Sequence, residues 1–141
     1  MTPPMNPSPA CTMQSVLVLD DDEFAQELTR IQLELCGFSA IHRAPNGLMG
    51  LRALNQMAQP PDLVICDIFM PDMDGIEFIA ALVKRRLQGA LILMSGAAPQ
   101  MLEVAQHIAL ASGLRVLGAL GKPLRRETLA QALGLESIDS I

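Results

Sequence analysis

The chain has 141 residues, with 15 acidic side chains against 10 Lys plus Arg, a net charge of −5, 50% hydrophobic residues, four Phe and neither Trp nor Tyr. That length suits one domain of ordinary size and leaves no room for a second large one. An acidic chain so poor in aromatics offers no cationic track for phosphates and no stacking platforms for bases, which argues against direct nucleic-acid binding. Cys11, Cys36 and Cys66 lack paired-ligand spacing and leave one unmatched, so a reduced, cytoplasmic setting is expected rather than a disulfide framework or a zinc site. No apolar run reaches the roughly 18 to 20 residues needed to cross a bilayer, and the N-terminus lacks the basic-then-apolar order of a secretory signal.

Residues 1–14 carry Pro3, Pro4, Pro7 and Pro9 with little apolar content and read as a flexible leader outside the fold. A short apolar run then predicts a strand over 16–19. Phe24, Leu28, Ile31 and Leu35 recur at spacings of four, three and four, which predicts a helix that Gly37 stops. A mixed stretch over 38–42 suits an edge strand, followed by a helix over 46–58. The apolar run 63–66 predicts the next strand, and Ile76, Ile79 and Val83 mark the helix after it. Strand 90–94 precedes a helix marked by Met101, Val104 and Ile108. Strand 116–120 and a helix over 125–133 complete five strand-helix units, with 135–141 as a tail or the start of a linker. The organisation is thus leader 1–14, domain 15–134 and tail 135–141.

Strands apolar throughout are covered on both faces, and their alternation with helices predicts an α/β fold, a doubly wound parallel sheet of five strands. In such a sheet ligands bind beyond the carboxyl ends of the strands, at the point where strand order reverses. Those positions hold Asp20 and Asp21, Asp67, Ser95 and Lys122. Three converging carboxylates repel one another unless a cation lies between them. All the candidate ligands are hard oxygens, which favours Mg²⁺ over zinc. A carboxylate such as Asp67 can act as a nucleophile toward phosphorus once a metal neutralises the incoming oxygens, with Lys122 as a positive charge and Ser95 as a hydroxyl donor for the product. Each residue also has a plainer reading: an acidic run caps a helix, and a lysine is a surface charge. Their joint placement at four strand ends favours the site. Asp72 and Asp74 read as turn formers around Pro71 and Gly75 rather than ligands.

Four motifs carry a family resemblance: Val16-Leu-Val-Leu-Asp20-Asp21-Asp22, Leu63-Val-Ile-Cys-Asp67-Ile-Phe-Met-Pro71-Asp-Met-Asp74-Gly75, Leu93-Met-Ser95-Gly96 and Gly121-Lys122-Pro123. In this order, over 15–134, the sequence resembles the CheY-like receiver domain of two-component response regulators. The resemblance implies a (βα)5 fold with strand order 2-1-3-4-5. It also implies phosphoryl transfer from a sensor histidine kinase or histidine phosphotransfer protein to Asp67, so that the chain is a signalling phosphoacceptor rather than an enzyme. Mg²⁺ would be held by Asp21, Asp67 and the backbone carbonyl of Phe69, with Asp20 acting mainly through water. Ser95 and Lys122 would bind the phosphoryl oxygens, and the peptide before Pro123 would be cis. Partners implied are the phosphodonor and a downstream effector or fused output domain, with a homodimer through the fourth helix, fifth strand and fifth helix.

Three positions depart from the common pattern. Ala119 stands where many receivers carry an aromatic switch residue, and no tyrosine exists. Phe69 and Ala97 are apolar where a water-orienting residue could stand, so a long-lived acyl phosphate is expected. Gly113-Leu-Arg-Val-Leu-Gly118-Ala-Leu-Gly-Lys122-Pro-Leu also resembles receivers joined to EAL-type cyclic di-GMP phosphodiesterases, so the chain either acts alone by docking or is the receiver part of a longer regulator. Two other classes compete. One is a degenerate receiver serving only as an interaction module. The other is a haloacid-dehalogenase-type phosphatase suggested by Asp72-Met-Asp74-Gly75, a poor match because the strand already ends at Asp67.

Overall fold

The computed structural model describes residues 13–135 except 71, 97 and 98. Strands and helices alternate as β1 (Ser15–Leu19), α1 (Glu23–Leu35), β2 (Ala40–Ala44), α2 (Gly47–Gln56), β3 (Leu63–Asp67), α3 (Gly75–Arg85), β4 (Ala90–Ser95), α4 (Pro99–Ala111), β5 (Arg115–Gly121) and α5 (Arg126–Ala132). All neighbouring strands are parallel, in the order β2-β1-β3-β4-β5. The order reverses beside β1, so β1 and β3 flank the switch point and both end in the crevice. Residues 1–12 of the leader read over 1–14, residues 136–141 of the tail read over 135–141, Pro71 and Ala97 lie outside the described residues. Met13 packs on the core, and the Gln14 N–H donates to Asp62 Oδ2 at 2.7 Å.

Apart from Ser15, Asp67 and Ser95 at their ends, the three central strands are apolar because helices cover both faces. Leu17, Leu19, Val64, Cys66, Leu91 and Leu93 meet Leu54 of α2, Phe78, Ile79 and Leu82 of α3, and Ala105 and Ala109 of α4. On the other face Val16, Val18, Leu63, Ile65, Ile92 and Met94 meet Leu33 of α1 and Leu129 of α5. Caps define where the helices begin. Asp22 accepts from the N–H groups of Phe24 and Ala25, Asn46 from Met49, and Asp74 forms a reciprocal capping box with Glu77. Asp74 therefore has the turn role read for it, and Asp72 takes a left-handed conformation with φ 69°. The loop between β3 and α3 closes tightly: a Cβ on Gly75 would lie 2.5 Å from Ile68 Cα.

The apolar periodicity located two helices but not their buried faces. Phe24 and Leu35 of α1 are 71% and 63% exposed, and Leu28 and Ile31 also face solvent; the buried residues of that helix are Gln26, Thr29 and Leu33. In α4, Met101, Val104 and Ile108 face outward while Ala105 and Ala109 are buried. Small residues pack there because α4 lies close on the sheet, whereas α3 buries Phe78. The second strand begins two residues later than its apolar pattern suggested, at Ala40. Phe38 precedes it, buried in the α1–β2 connection. Between β4 and β5 the register shifts: Leu91 pairs with Val116 and Ile92 with Gly118, so Leu117 is an extra residue.

Candidate functional site

Asp20, Asp67, Ser95 and Lys122 arrive at one end of the sheet by pairing alone. Leu19, the last residue of β1, pairs with Cys66, and Asp67 pairs with Met94. Ser95 pairs with Gly121, and the Lys122 N–H donates to the Ser95 carbonyl at 2.9 Å. The four side chains thus follow from strand ends, and Asp21 joins them from the loop that leads into α1. Asp20, Asp67 and Ser95 are buried, while Asp21 is exposed. The Lys122–Pro123 peptide is cis.

Lys122 Nζ donates to Asp67 Oδ2 at 2.9 Å and to Asp20 Oδ1 at 3.1 Å. Asp67 Oδ1 accepts from the Phe69 N–H at 3.0 Å, and Asp20 Oδ1 from the Asp22 N–H at 3.0 Å. Asp20 Oδ2 lies 2.9 Å from Lys122 Nζ but off the direction of a hydrogen bond, which leaves it a buried oxygen without a hydrogen-bond partner. One oxygen from each of Asp20, Asp21 and Asp67 lies within 4.8 Å of the others. Hard oxygens this close, one of them unsatisfied, are a fit for a small divalent cation. The side chain of Phe69 is half-exposed beside Asp67.

The electrostatics reflect two carboxylates sharing one ammonium. Burial pushes the Asp67 carboxyl above the ordinary aspartate value; the hydrogen bonds from Lys122 and Phe69 oppose that only in part, and Asp20 adds to it. Burial would lower Lys122, but its hydrogen bonds to Asp67 and Asp20 prevail and raise it, so it carries its charge at neutral pH. Burial likewise pushes the Cys66 thiol well up, with the neighbouring Asp67 charge adding to it, which makes it an inert core group. Gln26 was not singled out by sequence reasoning. Its side chain donates to the carbonyls of Asp20 and Ala44. The signal that could have found it is the line Gln26, Thr29, Leu33, which runs opposite the apolar stripe of the same helix.

A doubly wound sheet with an acid cluster and a lysine at its switch point defines a class, and the comparisons with known proteins agree with it. Residues 16–134 match the response regulator receiver domain, and the chain belongs to that family. It is 34% identical over 121 residues to the positive alginate biosynthesis regulatory protein of Pseudomonas aeruginosa, covering 84% of this chain and 45% of that protein. The probable C4-dicarboxylate response regulator DctR of Bacillus subtilis is 29% identical over 119 residues, with 84% and 50% covered. The chain thus spans about half the length of these relatives. Among solved structures, a response regulator from Colwellia psychrerythraea is 31% identical with a TM-score of 0.71, covering 86% of this chain and 94% of that one. The CheX–CheY–BeF3–Mg²⁺ complex from Borrelia burgdorferi contains a chain 25% identical with a TM-score of 0.72, with 85% and 86% covered. Among the described residues no helix is long and apolar enough to cross a membrane.

Proposed function

We propose that this receiver domain takes a phosphoryl group from a phosphohistidine of a sensor kinase or phosphotransfer protein onto Asp67, with Mg²⁺, and that the modification alters binding to an effector or an attached output domain. The observation that carries the reading is the convergence of Asp20, Asp21 and Asp67 within 4.8 Å beside a lysine that touches two of them. An Asp67 carboxylate oxygen attacks phosphorus, the P–O bond forms as the P–N bond breaks, and the electron pair leaves on the imidazole nitrogen. Lys122 exchanges its contact with Asp67 for one with a phosphoryl oxygen, and the Ser95 hydroxyl donates to another. Asp20, Asp21, Asp67 and the Phe69 carbonyl hold the cation. When bound, Mg²⁺ neutralises charge on the carboxylates and the incoming phosphoryl oxygens. The Mg²⁺ and BeF3 of the Borrelia CheY complex support the same assignment here.

The donor has to reach Asp67 over the strand ends, and the exposed stripe of α1 starts at Phe24, four residues after Asp20. That stripe supports a donor that docks helix against helix. The outward Met101, Val104 and Ile108 support self-association through α4, β5 and α5. With Ala119 in place of an aromatic switch, the signal passes through the segment after Ser95 and the packing of α4 on β5.

Intact mass after incubation with acetyl phosphate and Mg²⁺ tests the reading. One added phosphoryl group is expected on the wild type and none on Asp67→Asn. No adduct on either would favour a phosphorylation-independent interaction module, and sustained turnover of a generic phosphomonoester would favour a phosphatase.

A further inference from the structure

Gln26 is a buried polar side chain that the phosphoryl chemistry does not use. Its Nε2 donates to the Asp20 carbonyl at 2.5 Å and to the Ala44 carbonyl at 3.0 Å. Ala44 ends β2 and pairs with Leu19, the end of β1, and its carbonyl also accepts from the Asp20 N–H at 3.1 Å. The ladder stops at this point because the chain after Asp20 turns into α1. The buried Asp20 carbonyl therefore needs a donor from outside the sheet, and the Ala44 carbonyl has a second lone pair to offer. A glutamine amide has two N–H groups on one nitrogen and meets both.

The Asp20 carbonyl lies in the same rigid peptide plane as the Asp21 nitrogen. A donor fixed on that carbonyl sets the direction in which the chain leaves for Asp21. This matters because the two acidic residues are held differently. Asp20 is fixed through its own carboxylate, by the Asp22 N–H and by Lys122. Asp21 is exposed, and among the described residues no hydrogen bond is donated to its side chain. Its place in the acid cluster depends on the backbone that carries it.

We propose that Gln26 is a positioning residue for the cation site: by clamping the peptide between Asp20 and Asp21 to the end of β2, it holds the Asp21 carboxylate within reach of Asp20 and Asp67. The inference rests on the reading of this pocket as a Mg²⁺-dependent phosphoacceptor. Gln26 touches neither cation nor phosphoryl group and acts through Asp20 and Asp21.

Calorimetric titration of Mg²⁺ into the wild type and Gln26→Met, with thermal unfolding of both in EDTA, separates positioning from a purely structural role. Methionine keeps the volume and removes both donors. The Mg²⁺ dissociation constant is expected to rise about tenfold, the lower end for a partner outside the ligand shell. Labelling by acetyl phosphate should fall at subsaturating Mg²⁺ and recover at saturating Mg²⁺. If Gln26→Met does not fold, Gln26→Asn, one methylene shorter and unable to span both carbonyls, carries the same expectation. A variant that melts lower than the wild type while its Mg²⁺ constant stays within about twofold overturns the inference, since the roughly tenfold loss expected of a positioning partner would then be missing. A wild type that binds no Mg²⁺ overturns the reading of the pocket instead.

Discussion

Asp67→Asn should stabilise the cation-free protein. The substitution keeps the shape of the side chain and its acceptor toward the Phe69 N–H, and removes one charge from a crowded cluster. With carboxylate oxygens within 4.8 Å of each other, ionised Asp67 and Asp20 repel by about 3.5 kcal/mol at an effective dielectric of about 20. Asp21 repels less, because water screens it. The 2.9 Å contact with Lys122 opposes this by about 5.7 kcal/mol on the same scale. Burial of the carboxylate adds a penalty of several kcal/mol, which tips the sum against the charged form and agrees in sign with the raised Asp67 carboxyl. A gain of about 1–2 kcal/mol follows at pH 7, or roughly 5 °C in Tm for a domain of this size. The folded pKa lies above the unfolded one, so ionisation of Asp67 costs stability at neutral pH. The advantage of asparagine therefore shrinks as pH falls through the raised folded value and is gone below the unfolded value of about 3.9. Circular dichroism melts in EDTA between pH 4 and pH 7, taken as the difference between the two proteins, measure this directly. An asparagine variant less stable than the wild type at pH 7 refutes the reasoning, for the lysine contact would then outweigh both crowding and burial.

Phe69→Asn should shorten the life of the acyl phosphate about three- to tenfold, well below the roughly hundredfold of a fully positioned acid or base; decay of the intact-mass adduct in Mg²⁺ measures it, and an unchanged lifetime removes Phe69 as a shield. Phe24→Glu should slow transfer from a phosphodonor protein at least about fivefold, the loss typical of an interface anchor, and slow labelling by acetyl phosphate much less; equal losses would mean that α1 is not the docking face. Gly75→Ala should destabilise the fold by about 1–3 kcal/mol, as overpacking does, because its methyl meets the backbone of Ile68; urea unfolding with no shift in midpoint would contradict that contact.

The fold was legible where burial is two-sided. The strands at 16–19, 63–66 and 90–94 read as continuous apolar runs because helices lie on both faces, and the chemistry stood at their ends, where Asp20, Asp67, Ser95 and Lys122 break the runs. Helix faces were harder to read. In α1 the apolar stripe points outward, and the inner face holds Gln26 and Thr29, because this helix packs over strand-end carbonyls that require a donor rather than a methyl group. In α4 the close approach to the sheet selects Ala105 and Ala109, and alanine gives too weak a periodic signal to outweigh Met101, Val104 and Ile108. The extra residue in β5 left no mark, since Leu117 is as good a strand former as its neighbours.

That extra residue governs how errors in chain length reach the pocket. Downstream of it, Gly118, Ala119 and Leu120 pair with Ile92, Leu93 and Met94. Had the ladder stayed regular through Leu117, Lys122 would arrive one position late, displaced by about 3.3 Å and turned to the opposite side of the sheet. Deleting Leu117 therefore removes the slack and leaves the lysine where it is, at the cost of one packed leucine. A single deletion from Gly118 to Gly121 is taken up in the same way, with Leu117 drawn into the ladder and the side chains between it and the gap turned over, whereas an insertion there finds no slack and shifts the ammonium away from both aspartates. The strand has slack for one residue lost and none for one gained.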